Sequence, residues 1–147
     1  MKYFKTVLLV ICLTFNVTCY ASDIKVNIDD KYIDFDVQPI IQDNRTLVPM
    51  RKIFEELGCD VEWLAETQTV IATKNSKIIA LQIGKNRIIS NDIETGEPAV
   101  IEIDTVPIIH NNRTLVPVRV ISECLGYSVD WKDEEQTVII ITEKIEI

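Results

Sequence analysis

Histidine is almost missing from this 147-residue chain, which holds one, His110. That leaves little for histidine-based acid–base chemistry or for a histidine-rich metal site. Glycine and proline are scarce, at 4 and 5 residues, which excludes a collagen-like or low-complexity chain. Positive charge is in deficit. Lys and Arg number 15 against 23 Asp and Glu, for a net charge of −8 and an isoelectric point near 4.6. Such a chain lacks the basic face that nucleic acid phosphates demand. No apolar run reaches the ~20 residues of a membrane-spanning helix. What remains is 47% hydrophobic and 26% charged, enough for one domain or two very small ones.

The longest apolar run, Thr6–Val17, follows Lys2 and Lys5 and gives way to Thr18-Cys-Tyr-Ala21 before the polar Ser22-Asp23. A basic start, a short apolar stretch and a small residue form the layout of a secretory signal peptide over residues 1–21, cut after Ala21. An uncleaved anchor and a lipoprotein anchored at Cys19 are the alternatives. Cleavage leaves residues 22–147, takes the net charge from −8 to −10 and lowers the mean hydropathy of +0.13. The expected location is therefore extracellular or at the cell envelope. Cys12 and Cys19 depart with the leader, so Cys59 and Cys124 remain as one disulfide or as two small buried thiols. Neither has ligands at zinc spacing, and no metal or cofactor site is expected.

Residues 22–147 carry one motif twice. Asp36–Arg51 matches Asp104–Arg119 at an offset of 68, and the match runs on without a gap. Pro49 meets Pro117, Gly58 meets Gly126, Trp63 meets Trp131, and Gln68-Thr-Val-Ile71 meets Gln136-Thr-Val-Ile139. Of the 36 positions from Asp36 to Ile71, 22 are identical to their counterparts. Two copies make a duplicated unit, with repeat 1 about 24–83 and repeat 2 about 84–147.

Each copy reads as a short hairpin, a helix and a second hairpin. Pro39-Ile-Ile41 and Arg45–Val48 are strand-like runs around the turn former Gln42-Asp-Asn44. Pro49 sits at a helix start, where its missing N–H costs nothing. Ile53, Phe54 and Leu57 form an apolar stripe, and Gly58 ends the helix. The second helix runs from Pro117 to Leu125 and closes at Gly126. Val61 and Trp63, then Thr69–Ile71, alternate as a hairpin, as do Val129 and Trp131 with Thr137–Thr142. Further strands are expected at Ile24–Ile28, Tyr32–Val37, Ile78–Ile83, Ile88–Ile93 and Ala99–Ile103. The fold class is α+β: mostly antiparallel β-hairpins with one short helix per repeat.

The pattern Asn-Arg-Thr-Leu-Val-Pro-x-Arg, then Glu-x-Leu-Gly or Glu-Cys-Leu-Gly, then Val-x-Trp and Gln-Thr-Val-Ile resembles the copper amine oxidase N-terminal-like domain. This is the "stalk" domain of many exported proteins of Gram-positive bacteria. The resemblance covers about Ile24 to Ile141 and both copies of the signature. It departs at Asn91–Pro98, which is longer than the family's short Asn-Gly turn. In the oxidases, catalysis resides in a separate large domain with three histidines on copper and a tyrosine-derived quinone. A chain with one histidine cannot build that site. The resemblance implies an accessory module of the envelope or secretome, not an enzyme.

Each candidate site residue has a structural use to set beside a functional one. Arg45 and Arg113 are suited to gripping a carboxylate or a glycan. They are equally suited to bonding free backbone carbonyls or a nearby Glu at the helix entry, which is the preferred reading. Arg51 with Glu55, Lys52 with Glu56, and Arg119 with Glu123 are i,i+4 helix pairs. Trp63 and Trp131 share a face with Val61 and Val129, which favours core packing over a sugar-stacking platform. The acidic run Asp23, Asp29, Asp30, Asp34 and Asp36 lacks a calcium-loop spacing and reads as a solvated edge. Asp130 with Asp133-Glu-Glu135 reads as a hairpin turn and its flank. His110 has Gln42 as its counterpart, so imidazole chemistry is not required there. Asn44-Arg-Thr46 and Asn112-Arg-Thr114 are glycosylation sequons by accident of the signature. The expected partner is a wall polymer or an exported protein, recruited through an open sheet edge. The competing reading is a small glycan or peptide binder with a groove between the repeats.

Overall fold

The computed structural model describes residues 23–143. The expected leader and its cleavage site at Ala21 lie outside them. The described residues form thirteen strands and two helices, mostly antiparallel, so the α+β class stands.

Strands β1 (Lys25–Ile28) and β2 (Lys31–Tyr32) open the chain, followed by β3 (Ile40–Gln42), β4 (Arg45–Pro49) and helix α1 (Met50–Glu56). A meander follows: β5 (Asp60–Leu64), β6 (Thr69–Lys74), β7 (Lys77–Gln82), β8 (Arg87–Asp92) and β9 (Pro98–Glu102). Then β10 (Ile108–His110), β11 (Arg113–Pro117), helix α2 (Val118–Cys124), β12 (Ser128–Lys132) and β13 (Thr137–Ile141) complete it. The strand expected over Tyr32–Val37 stops at Tyr32. Past it, Ile33 turns into the core and Asp36 leaves for an ion pair described below.

Three sheets result, ordered β12-β13-β1-β2, β10-β11-β4-β3 and β5-β6-β7-β8-β9. Two long-range pairings were not expected from the sequence. Strand β1 lies parallel to β13, with Val26 opposite Val138 and Ile28 opposite Ile140. Strands β4 and β11 run antiparallel, with Val48 opposite Val116. Those two valines are 68 positions apart, so the matching hairpins meet at matching residues. Leu47 and Leu115 alternate to the other face of the same sheet, and all four side chains are fully buried.

Turn chemistry sets the hairpins. Asp43-Asn44 and Asn111-Asn112 have positive φ at both positions (50° and 63°, 46° and 64°), as a two-residue type I′ turn requires. Asp29-Asp30 makes the same turn between β1 and β2. Each helix ends in a Schellman motif. Gly58 (φ 77°) donates to Glu55 O and Cys59 to Phe54 O; Gly126 (φ 86°) donates to Glu123 O and Tyr127 to Ser122 O. The core draws on the described residues from end to end, from Val26 and Phe54 through Ile79 and Ile88 to Ile121 and Ile140.

Candidate functional site

A groove of about 640 Å³ lies between the β3–β4 hairpin, the end of β9 and the face of α2 with β12–β13. Ile41, Arg45 and Thr46 form one wall; Arg119, Glu123, Asp130 and Trp131 form the other, with Glu102 and Asp104 at the rim. Its position brings together residues that the sequence placed in separate repeats. Five carboxylates (Glu102, Asp104, Glu123, Asp130, Asp133) face two guanidiniums there, so the groove carries a negative field.

Arg45 donates to Asn44 O at 3.2 Å and to Asp104 Oδ2 at 2.5 Å. Arg113 repeats the arrangement. It donates to Asn112 O at 3.1 Å and to Asp36 Oδ2 through both Nε (2.8 Å) and a terminal nitrogen (2.6 Å). Each arginine therefore satisfies its own turn and holds the aspartate that opens the other matching segment. The backbone carbonyl was expected; the acid is an Asp, not a Glu. Hydrogen bonding to Arg113 also holds the Asp36 carboxyl below its usual range. Sequence reasoning took Asp36 for part of a solvated edge and passed over Asp104. The available signal was that both aspartates open the repeated segment at the same position.

The remaining signature residues are placed as follows. Arg119 donates to Val129 O at 2.9 Å and stands 3.8 Å from Glu123. Arg51 and Glu55 are absent from the ion pairs of the described residues; on that helix Lys52 bonds Glu56 at 2.7 Å instead. Pro49 and Pro117 end β4 and β11 and act as N-caps with φ of −56° and −64°. Trp63 and Trp131 are half-buried against the core, and Trp131 Nε1 donates to Asp133 Oδ1 at 3.3 Å. One edge of that indole is thus core and the other lines the groove. His110 ends β10, away from the groove lining.

The disulfide that the sequence allowed is not formed: Cys59 is a buried thiol and Cys124 a half-buried one. Lys74, from the β6–β7 hairpin, occupies the approach between the two helix ends. Its Nζ donates to Leu57 O at 2.6 Å, beside Cys59, and to the Tyr127 hydroxyl at 2.5 Å, just past Cys124. The ammonium also sits 5.2 Å from the Tyr127 ring centroid. Burial pushes both thiols up, Cys124 to about 11. Nothing in the sequence singled out Lys74. Asp29 was likewise read as solvated, yet it takes both the Thr142 N–H and the Thr142 hydroxyl, latching the end of β13 to the β1–β2 turn.

Among the described residues no three His, Cys, Asp or Glu side chains are grouped to hold a metal ion, and no helix is long and apolar enough to cross a membrane. The groove lining holds no serine, cysteine or histidine to serve as nucleophile or imidazole base.

Comparison with known proteins gives two findings. The copper amine oxidase N-terminal domain family matches residues 27–147. A protein described as "Protease inhibitor" from Brevibacillus choshinensis is 28% identical over 123 residues, covering 81% of this chain and 35% of its own length. The chain thus spans about a third of that relative.

Proposed function

Because this chain belongs to the copper amine oxidase N-terminal domain family, we propose that it is an exported, non-catalytic interaction module of a bacterial cell envelope or secretome. The observation that carries this reading is the groove: a concave surface with Trp131, paired arginines and excess carboxylates, but no serine, cysteine or histidine in its lining. Such a surface is suited to binding. The two matching segments are copies of one unit on this reading, supported by the reciprocal Arg45–Asp104 and Arg113–Asp36 pairs and by Val48 opposite Val116. The partner is a wall polymer or an exported protein, and the name of the Brevibacillus relative adds a protease to the candidates. A small glycan or peptide ligand is the second reading, favoured by the half-buried indole in the groove wall.

The test is co-sedimentation of the purified protein with isolated Gram-positive cell walls, intact and stripped of secondary polymers, at low and moderate salt. Saturable pelleting that persists in moderate salt supports wall binding. Protein left in the supernatant throughout sinks the wall-polymer version. The exported-protein version is then read by titrating the protein into secreted protease activity from culture medium. Replacing Trp131 by Ala weakens either interaction if the groove is the contact surface.

A further inference from the structure

The sheet edges differ in how they are guarded. Edge strands β2, β3 and β10 are only two or three residues long. The five-residue edges β5 (Asp-Val-Glu-Trp-Leu) and β12 (Ser-Val-Asp-Trp-Lys) carry a carboxylate at their centres. Central charges of that kind deter a foreign strand. Strand β9 reads Pro-Ala-Val-Ile-Glu and has no charge until its last residue. Val100, at its centre, is 64% exposed, Ile89 opposite it on β8 is 44% exposed, and Ile93, just past β8, is 60% exposed. Val100 and Ile93 are the two most exposed large apolar side chains among the described residues.

The backbone of β9 can be accounted for group by group. Ile103 N–H donates to Asn86 O across the ladder to β8. Bonded pairs alternate along an antiparallel ladder, so Ile101 and Ala99 also face β8. The N–H and C=O of Val100 and Glu102, with the C=O of Pro98, therefore point outward. Proline stands where its missing N–H interrupts no ladder. Two donors and three acceptors remain for an incoming strand. The charge around them has one sign. From Arg87 to Glu102 the β8–β9 hairpin holds four carboxylates (Asp92, Glu94, Glu97, Glu102) against Arg87. Glu102 also lines the groove, so the edge runs into it.

We propose that β9 is a docking edge for an extended protein segment that adds as an antiparallel strand, with a basic residue opposite Glu102, an apolar one opposite Val100 and a second basic residue opposite Glu97. It rests on the interaction-module reading and names the partner's chemistry as that of a protein. Main-chain bonds to Val100 and Glu102 supply affinity, and the flanking charges supply register. A second copy of this chain is the poorer occupant. Self-pairing centred on Val100 would set Glu102 opposite the partner copy's Pro98, with no basic residue to meet it in a molecule already net acidic.

The probe is the capped hexapeptide Lys-Thr-Val-Thr-Ser-Lys, titrated into the isotope-labelled protein. Amide exchange and chemical shifts are followed residue by residue. The expected result is slowing of exchange at Val100 and Glu102 by roughly threefold or more, while Ala99 and Ile101 are unchanged. A peptide N-methylated at its valine, or with both lysines replaced by glutamates, gives no protection. Glu102→Lys, an exposed change, removes the preference between the Lys and Glu peptides, and adding Glu97→Lys, also exposed, reverses it. Shifts confined to Trp131 and Asp130 would overturn the edge proposal and leave the groove reading standing. Protection of Val100 that rises with protein concentration alone would overturn it in favour of a second copy. No response to millimolar peptide also overturns it, whereas failure of the broader reading would appear as no pelleting and no protease effect in the assays above.

Discussion

Two lysines converge on one carboxylate: Lys52 and Lys31 bond Glu56 at 2.7 and 2.9 Å. Hydrogen bonding to Lys52, then to Lys31, lowers the Glu56 pKa in the folded protein. A carboxyl whose folded pKa is depressed adds stability above its unfolded pKa and loses it as pH falls through the folded value. Glu56→Gln should therefore cost about 0.5–1 kcal/mol near neutral pH, the scale of partly exposed ion pairs. The cost should vanish once the wild-type carboxyl is protonated. Urea midpoints at pH 7 and pH 3 measure the difference; an equal loss at both would assign the role of Glu56 to packing. The thiols make a second residue-scale prediction. With its pKa raised to about 11, Cys124 is about one part in a thousand thiolate at pH 8. Disulfide-exchange reagents should label Cys59 and Cys124 slowly in the native protein and rapidly in urea. Fast native labelling of Cys59 would contradict its burial.

At the scale of elements, the two helices match in length and capping but not in what they bury. Phe54 on α1 is fully buried, and its counterpart 68 residues on is Ser122, also fully buried, whose hydroxyl donates to Val118 O at 2.9 Å. One position thus supplies an aromatic ring to the core and the other returns a bond to its own helix. Phe54→Ala should cost about 3–5 kcal/mol, whereas Ser122→Ala should cost well under 1. Denaturant unfolding of the two variants distinguishes them. The sequence made the hairpins, helix ends and glycine caps legible because each rests on local chemistry: Asp-Asn turns, period-two alternation, glycine after an apolar stripe. It was silent where the determinant is long-range. The Arg45–Asp104 bridge joins residues 59 apart, and Lys74 reaches Tyr127 across 53 positions. Only the match between the two segments carried information at that range. It marked Asp36 and Asp104 as equivalent without saying what they hold.

On the scale of the whole molecule, the pairings that local signals could not reveal decide how it unfolds. Two matching segments in one chain invite two independently folding halves. Here β1, at the start of the described chain, is paired with β13 at its end, and the β4–β11 pair joins the two matching hairpins. The ammonium of Lys74 in the first half caps α1 and bonds Tyr127 in the second. Neither half can unfold without breaking the β1–β13 and β4–β11 pairings, and the core cluster draws on both. Unfolding should therefore be a single cooperative transition. Each half carries its own reporter, because Trp63 and Trp131 sit at matching positions on β5 and β12. Trp63→Phe leaves Trp131 as the only indole, and Trp131→Phe leaves Trp63. In each variant, indole fluorescence should give the same urea midpoint as far-ultraviolet circular dichroism, whatever the cost of the substitution itself. A fluorescence transition that parts from the backbone signal in either variant would mean that the halves melt separately and that the β1–β13 and β4–β11 ladders do not couple them.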